Sequence, residues 1–173
     1  MRFGDFLKAT VLLSAASATL LAALTIVALS GDPNERVVYL CVIWWFGSTL
    51  IGIVIGRGNR ASPAISRLLA GARSQTLLPE LHPSRTLANR LWPLLLVTIG
   101  AGALSVVAPQ IPAIATGFAI IWSLAWRRQE AAVAAIEERD GVRFYVDQTS
   151  PLSPIRLIRT PGFGGQFLAM DGG

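Results

Sequence analysis

The chain has 173 residues, of which 53% are hydrophobic and 14% charged. A soluble domain carries roughly 25% charged residues, so this chain has too little polar surface for a water-soluble particle of its size. The net charge is +5, but the arginines flank apolar runs and form no separate basic domain, which speaks against nucleic acid as a partner.

In chain order, the first element is an uncharged apolar run over residues 9–29. At a rise of about 1.5 Å per residue, some 20 residues cross a hydrocarbon core of about 30 Å. Ser14, Ala18 and Ala22 form a small-residue stripe along it, of the kind that lets membrane helices pack. A rival reading is a cleaved signal peptide, with Arg2 and Lys8 as its basic start and Ala28-Leu29-Ser30 as a small-x-small site. The run exceeds the 7–15 residues of a signal core, so a retained span is expected. After a polar turn at residues 31–36, a second span is predicted over 37–55. It contains Trp44, Trp45, the lone Cys41 and a GxxxG pair, Gly52/Gly56.

Residues 57–90 form a long polar segment. Ser62-Pro63 reads as a helix start, with serine as cap and proline in the first turn. Ile65, Leu68, Leu69 and Ala72 then recur at i, i+3, i+4, i+7, opposite Ser66, Arg67 and Arg73. That pattern predicts a short amphipathic helix at a bilayer surface. Arg57, Arg60, Arg67 and Arg73 are the candidate contacts to anionic lipid headgroups. The single histidine, His82, sits in this polar loop.

Residues 91–126 carry no charge. As one helix they would run about 54 Å, too long for a single crossing. Pro109 and Pro112 fall in the middle, which predicts a hairpin of two short spans over 91–108 and 110–126. Pro93 is expected in the first turn of the former. Residues 127–139 look helical, and Asp140-Gly141 marks a turn. Val142, Phe144 and Val146 then alternate with polar residues at the period of a strand. A second strand at 155–159, with Ile155 and Leu157, would complete a hairpin. Two strands cannot bury that apolar face alone, so these five residues are candidates for docking onto the inner loop, a second copy or another protein.

The fold class expected is an all-α integral membrane protein. Residues 1–128 would be a bundle of about four spans in two hairpins with the amphipathic segment 57–90, and residues 129–173 a small cytoplasmic tail with a β-hairpin. With four spans, 14 of the 15 lysines and arginines fall on one side and only Arg36 on the other. The positive-inside rule then places both termini in the cytoplasm of a multi-pass protein of a bacterial-type inner membrane.

No charged residue or histidine interrupts the apolar runs, which argues against a proton-coupled pump, a membrane protease or intramembrane haem ligation. Glu137, Glu138 and Asp140 are the only acidic cluster, in a helix with Arg139 and Arg143 nearby, and read as a solvated face. No catalytic, metal or cofactor motif is found. The function expected is a non-catalytic assembly or interaction subunit, partnered by lipid and by other membrane subunits or itself. One alternative is a small oligomeric channel or transport component lined by Ser48, Thr49, Thr98, Ser105, Thr116 and Ser123. The other is a lipid-modifying enzyme whose arginine-rich loop binds headgroups.

Overall fold

The computed structural model describes residues 1–31, 35–58, 61–74, 83–147 and 155–161. The fold is mostly helical, with a small sheet near the C-terminal end. Among the described residues three helical stretches are long and apolar enough to cross a membrane: Phe3–Ser30, Glu35–Ile55 and Ser84–Val106. The first is α1 and the second α2. The third lies within α4, Pro83–Ala103, and the 3-10 turn Leu104–Val106 that ends it. Helix α5, Gln110–Trp126, is 17 residues long.

The hairpin break falls where the prolines predict it. Pro109 caps α5 and Pro112 sits in its first turn, where a missing N–H costs no helical bond. Pro93 departs from expectation. Helix α4 starts at Pro83, not near residue 91, so Pro93 lies inside the helix and withdraws one donor from its ladder.

Between these helices lies α3, Pro63–Ala70, capped as the Ser-Pro pair predicts: Ser62 Oγ accepts from the Ile65 amide at 3.4 Å. Strand β1 follows at Arg73–Ser74. After α6, Gln129–Asp140, the chain reverses at Gly141, whose φ of +60° is a conformation that glycine adopts without strain. It then enters β2, Val142–Val146. Strand β3 runs Leu157–Pro161, two residues later than the sequence reading, with Ile155 just outside it. The sheet order is β1-β3-β2. β2 and β3 are antiparallel with Val146 opposite Leu157 and Phe144 opposite Arg159, and β1 joins β3 in parallel with Arg73 opposite Ile158.

The chain forms two compact units that do not follow its order. The first gathers residues 1–7, 58–89 and 129–173, and the second residues 8–57 and 90–128. The loop and the first residues therefore belong with the tail that the sequence sets apart at residue 129.

Candidate functional site

The two units differ in what they leave exposed. In the first, Phe3, Phe6, Leu7, Ile65, Leu69, Val133, Phe144, Tyr145, Val146, Leu157 and Ile158 are all buried, an apolar core of the kind that burial from water favours. Every large apolar side chain that the described residues leave exposed lies in the second unit. Val42, Ile43, Phe46, Ile99 and Phe118 are among them. Its interior holds Leu21, Cys41 and Leu91 and, beside them, many small and hydroxyl side chains: Ser14, Ala18, Thr25, Ser48, Thr98, Ala101, Ala113 and Thr116. Water penalises so large an apolar exterior, whereas lipid does not, and helices in lipid pack through small residues.

The candidate path-lining hydroxyls mostly bond their own helices. Thr49 Oγ1 donates to the Trp45 carbonyl, Thr98 to Leu94 and Thr116 to Pro112, at 2.7 to 2.8 Å. Ser123 donates to the Ile120 carbonyl. Ser14 and Thr25 on α1 do likewise, to Thr10 and Leu21. Such back-bonding satisfies a hydroxyl without water. Ser105 is buried, and Ser48 Oγ is buried without a partner among the described residues.

Helices α2 and α5 pack closely over their length. Trp44 and Trp45 donate their indole N–H groups to consecutive α5 carbonyls, Ile114 at 3.2 Å and Ala113 at 2.9 Å. Trp44 also meets Phe118 edge-on at a centroid distance of 5.5 Å. Three glycines permit the approach. A Cβ on Gly117 would collide with the Trp44 ring and stand 2.6 Å from Ser48 Oγ. One on Gly52 would stand 2.8 Å from Leu124 Cβ, and one on Gly56 would collide with the Leu124 carbonyl. The Gly52/Gly56 pair thus faces α5 of the same chain. Of the α1 stripe, Ser14 and Ala18 are buried and Ala22 is half-buried.

In the first unit the tail's apolar residues are covered by the chain itself. Val142, Phe144, Val146 and Leu157 are buried, and Ile155 is half-buried. The outer edge of β2 is closed as well. Its Val146 amide donates to the Met1 carbonyl at 3.0 Å, Arg2 bridges to Tyr145, and the Phe144 amide donates to Glu137 Oε1 at 2.8 Å. Ile65 and Leu69, the apolar side of α3, are also buried, so that side is turned into protein. Gln129 joins the two segments by accepting from the Ser62 amide at 2.9 Å.

The acidic cluster has local partners. Glu137 holds the β2 edge, and Asp140 pairs with Arg139 at 2.8 Å. The hydrogen bond from Arg139 holds the Asp140 carboxyl below its usual range. Among the described residues no three His, Cys, Asp or Glu side chains gather as a metal site would need. Of the arginines expected at headgroups, Arg67 and Arg73 are exposed in the first unit and Arg57 in the second, while Arg60 and His82 lie outside the described residues. Arg57 lies beside Arg128, whose Nη1 donates to the Arg57 carbonyl at 3.1 Å.

Compared with known proteins, the chain matches no family model, no curated protein and no solved structure.

Proposed function

We propose that this is a four-span membrane protein whose first unit folds in the cytoplasm, and that it acts as a non-catalytic assembly subunit of an inner-membrane complex. The observation that carries the membrane reading is the contrast between the two units: an apolar core in one, an apolar exterior in the other.

Strand pairing supports this number of crossings. Backbone groups cannot hydrogen-bond across a bilayer. Met1 bonds Val146 and β1 pairs with β3, so residues 1–7, the inner loop and the tail share one side. Residues 8–57 and 90–128 must then each cross an even number of times. Helices α1 and α2 account for the first stretch. α4 with its 3-10 turn is long enough to cross, and on this reading α5 returns. At 17 residues it spans about 26 Å, the lower end of what a bilayer accepts. On this reading the common side holds 14 of the 15 basic residues, which supports placing it in the cytoplasm.

The assembly role is supported by what the polar groups do. The acidic cluster holds a strand edge and a surface pair, and most of the interior hydroxyls bond their own helices. The first favours a scaffold over an enzyme, and the second favours a dry bundle over an aqueous path. The tail's apolar face is covered within the chain, so a partner would meet the polar exterior of the first unit or the apolar exterior of the second. Native mass spectrometry of the protein extracted in mild detergent tests this. A discrete assembly of fixed stoichiometry is expected. A monomer that conducts ions in liposomes, or turns over a labelled lipid, contradicts it.

A further inference from the structure

The turns that close the two helical hairpins differ in chemistry. The α1–α2 turn reads Gly31-Asp32-Pro33-Asn34-Glu35-Arg36, and of its described residues Gly31, Glu35 and Arg36 are exposed. The α4–α5 turn, residues 104–111, carries no charge. Val106 and Val107 in it are 90% and 82% exposed, more than any other large apolar side chain among the described residues, and Leu104 and Ile111 are exposed beside them. Ser105 is buried, which leaves Gln110 as the turn's one exposed polar side chain. The turn also uses its own backbone donors. The Val107 and Ala108 amides both donate to the Leu104 carbonyl, at 3.1 and 3.0 Å, and the Ile111 amide donates to the Ala108 carbonyl at 3.1 Å. Pro109 has no N–H to satisfy.

Helices α2 and α5 measure how far each turn reaches. Trp44 bonds Ile114, Ser48 meets Gly117 and Gly56 meets Leu124, so the residue numbers rise together and the two helices run parallel. Seven residues separate Gln110 from Gly117, whereas 13 separate Glu35 from Ser48. At about 1.5 Å per residue, α2 begins about 9 Å beyond the level at which α5 begins. The polar turn therefore stands in water while the apolar one lies below it. Its four exposed apolar side chains fall far short of the roughly 800 Å² per partner that a stable protein interface buries. They instead continue the apolar exterior formed by Ile99, Ile114 and Phe118. We propose that the α4–α5 turn is embedded at the acyl–headgroup boundary of the outer leaflet, with Val106 and Val107 among the lipid chains and Gln110 at the edge, within reach of water. Lipid chains suit this surface because apolar burial is non-directional and asks for no charge. Backbone at that depth must satisfy its polar groups internally, as the Val107, Ala108 and Ile111 amides do. The inference rests on the four-span reading, which sets both turns on the outer face.

The test uses the full-length protein with Cys41 replaced by alanine, reconstituted in dioleoyl phosphatidylcholine vesicles. Spin labels are attached to single cysteines in the variants Asn34→Cys, Ile99→Cys, Val106→Cys and Val107→Cys. Val106 and Val107 are exposed, so a label there displaces no packed neighbour. Each label's collisions with oxygen, which concentrates among acyl chains, are compared with its collisions with a water-soluble nickel chelate. Labels at Val106 and Val107 should favour oxygen, as the label at Ile99 does, and the label at Asn34 should favour the chelate. In thin dimyristoleoyl vesicles the two turn labels should shift toward the chelate, and in thick dierucoyl vesicles away from it, because a turn of fixed height meets a different depth in each. Chelate collisions at Val106 and Val107 equal to those at Asn34 would overturn the embedding. Shielding from both reagents would overturn it too, since protein would then cover the turn. A second variant separates this outcome from failure of the four-span reading. A Gly-Ser insert of about ten residues with one cysteine, placed between Val107 and Ala108, extends up to roughly 33 Å and reaches water whatever the depth of the turn. In intact cells it should react with an impermeant maleimide from outside. Outside reaction combined with chelate-exposed turn labels would sink the embedding alone, and reaction only after permeabilisation would overturn the four spans and the embedding together.

Discussion

The Val146 amide donates to the Met1 carbonyl at 3.0 Å, so the first residue of the chain closes the outer edge of a strand near its far end. An exposed strand edge invites pairing with other chains. Here the N-terminus and Glu137 occupy it. The core of the first unit is consequently built from three segments distant in sequence, and none of them completes it alone.

Phe3→Ala should therefore destabilise the C-terminal sheet about as much as Phe144→Ala, although the two lie at opposite ends of the described chain. Both rings are nearly fully buried, at 2% and 3% exposure, and such truncations cost about 3–5 kcal/mol. Limited proteolysis of the sheet in membranes reads this out. A sheet that stays resistant in Phe3→Ala would show that the N-terminus is not part of its core.

Glu137→Ala should loosen the same sheet, because it leaves the Phe144 amide without an acceptor, at a cost of about 1–3 kcal/mol. Glu137→Gln keeps an acceptor and should be nearly neutral. Equal damage from both substitutions in amide hydrogen exchange would point to a role for the charge itself.

Gly117→Ala should weaken the α2–α5 pair, since the new methyl meets the Trp44 ring, whereas Gly47→Ala meets nothing within 4 Å. Overpacking of this kind costs about 1–3 kcal/mol. Thermal unfolding in detergent should separate the two variants, and identical midpoints would contradict the packing described.

Trp45→Phe removes the donor to the Ala113 carbonyl while keeping much of the apolar bulk. Interhelical hydrogen bonds in membranes are worth about 0.6–2 kcal/mol, so a small drop in midpoint is expected. A larger drop than that of Gly117→Ala would mean that the indole does more than bond and pack.

Much of the helical frame was legible because apolar length and proline position are local signals. The Ser62-Pro63 start, the break at Pro109 and the strand from Val142 all appear where spacing places them. What escaped the sequence depends on distant partners. Arg73-Ser74 is too short to show a strand period, and nothing near Arg2 announces a bridge to Tyr145. The alternation at 142–146 showed an apolar face, but not that residues 1–7 and 58–89 join the tail in one unit. Pro93 was expected in a first turn because the charged residues before it hid a helix that begins at Pro83. The GxxxG pair marked a close contact, but spacing cannot tell a neighbouring helix from a neighbouring subunit. Arg127 and Arg128 were legible as flanking charge, but not as neighbours of Arg57.

The even number of crossings in each half is tested most directly by labelling single cysteines in intact cells, in a background with Cys41 replaced by alanine. Labels at Asn34 and Gln110 should react with a membrane-impermeant maleimide from outside. Labels at Ser74 and Asp147 should react only after permeabilisation. Protection of Gln110 together with reaction at Asn34 would mean that α4 and α5 do not cross, and reaction of Ser74 and Asp147 from opposite sides would contradict the shared sheet and the four-span account with it.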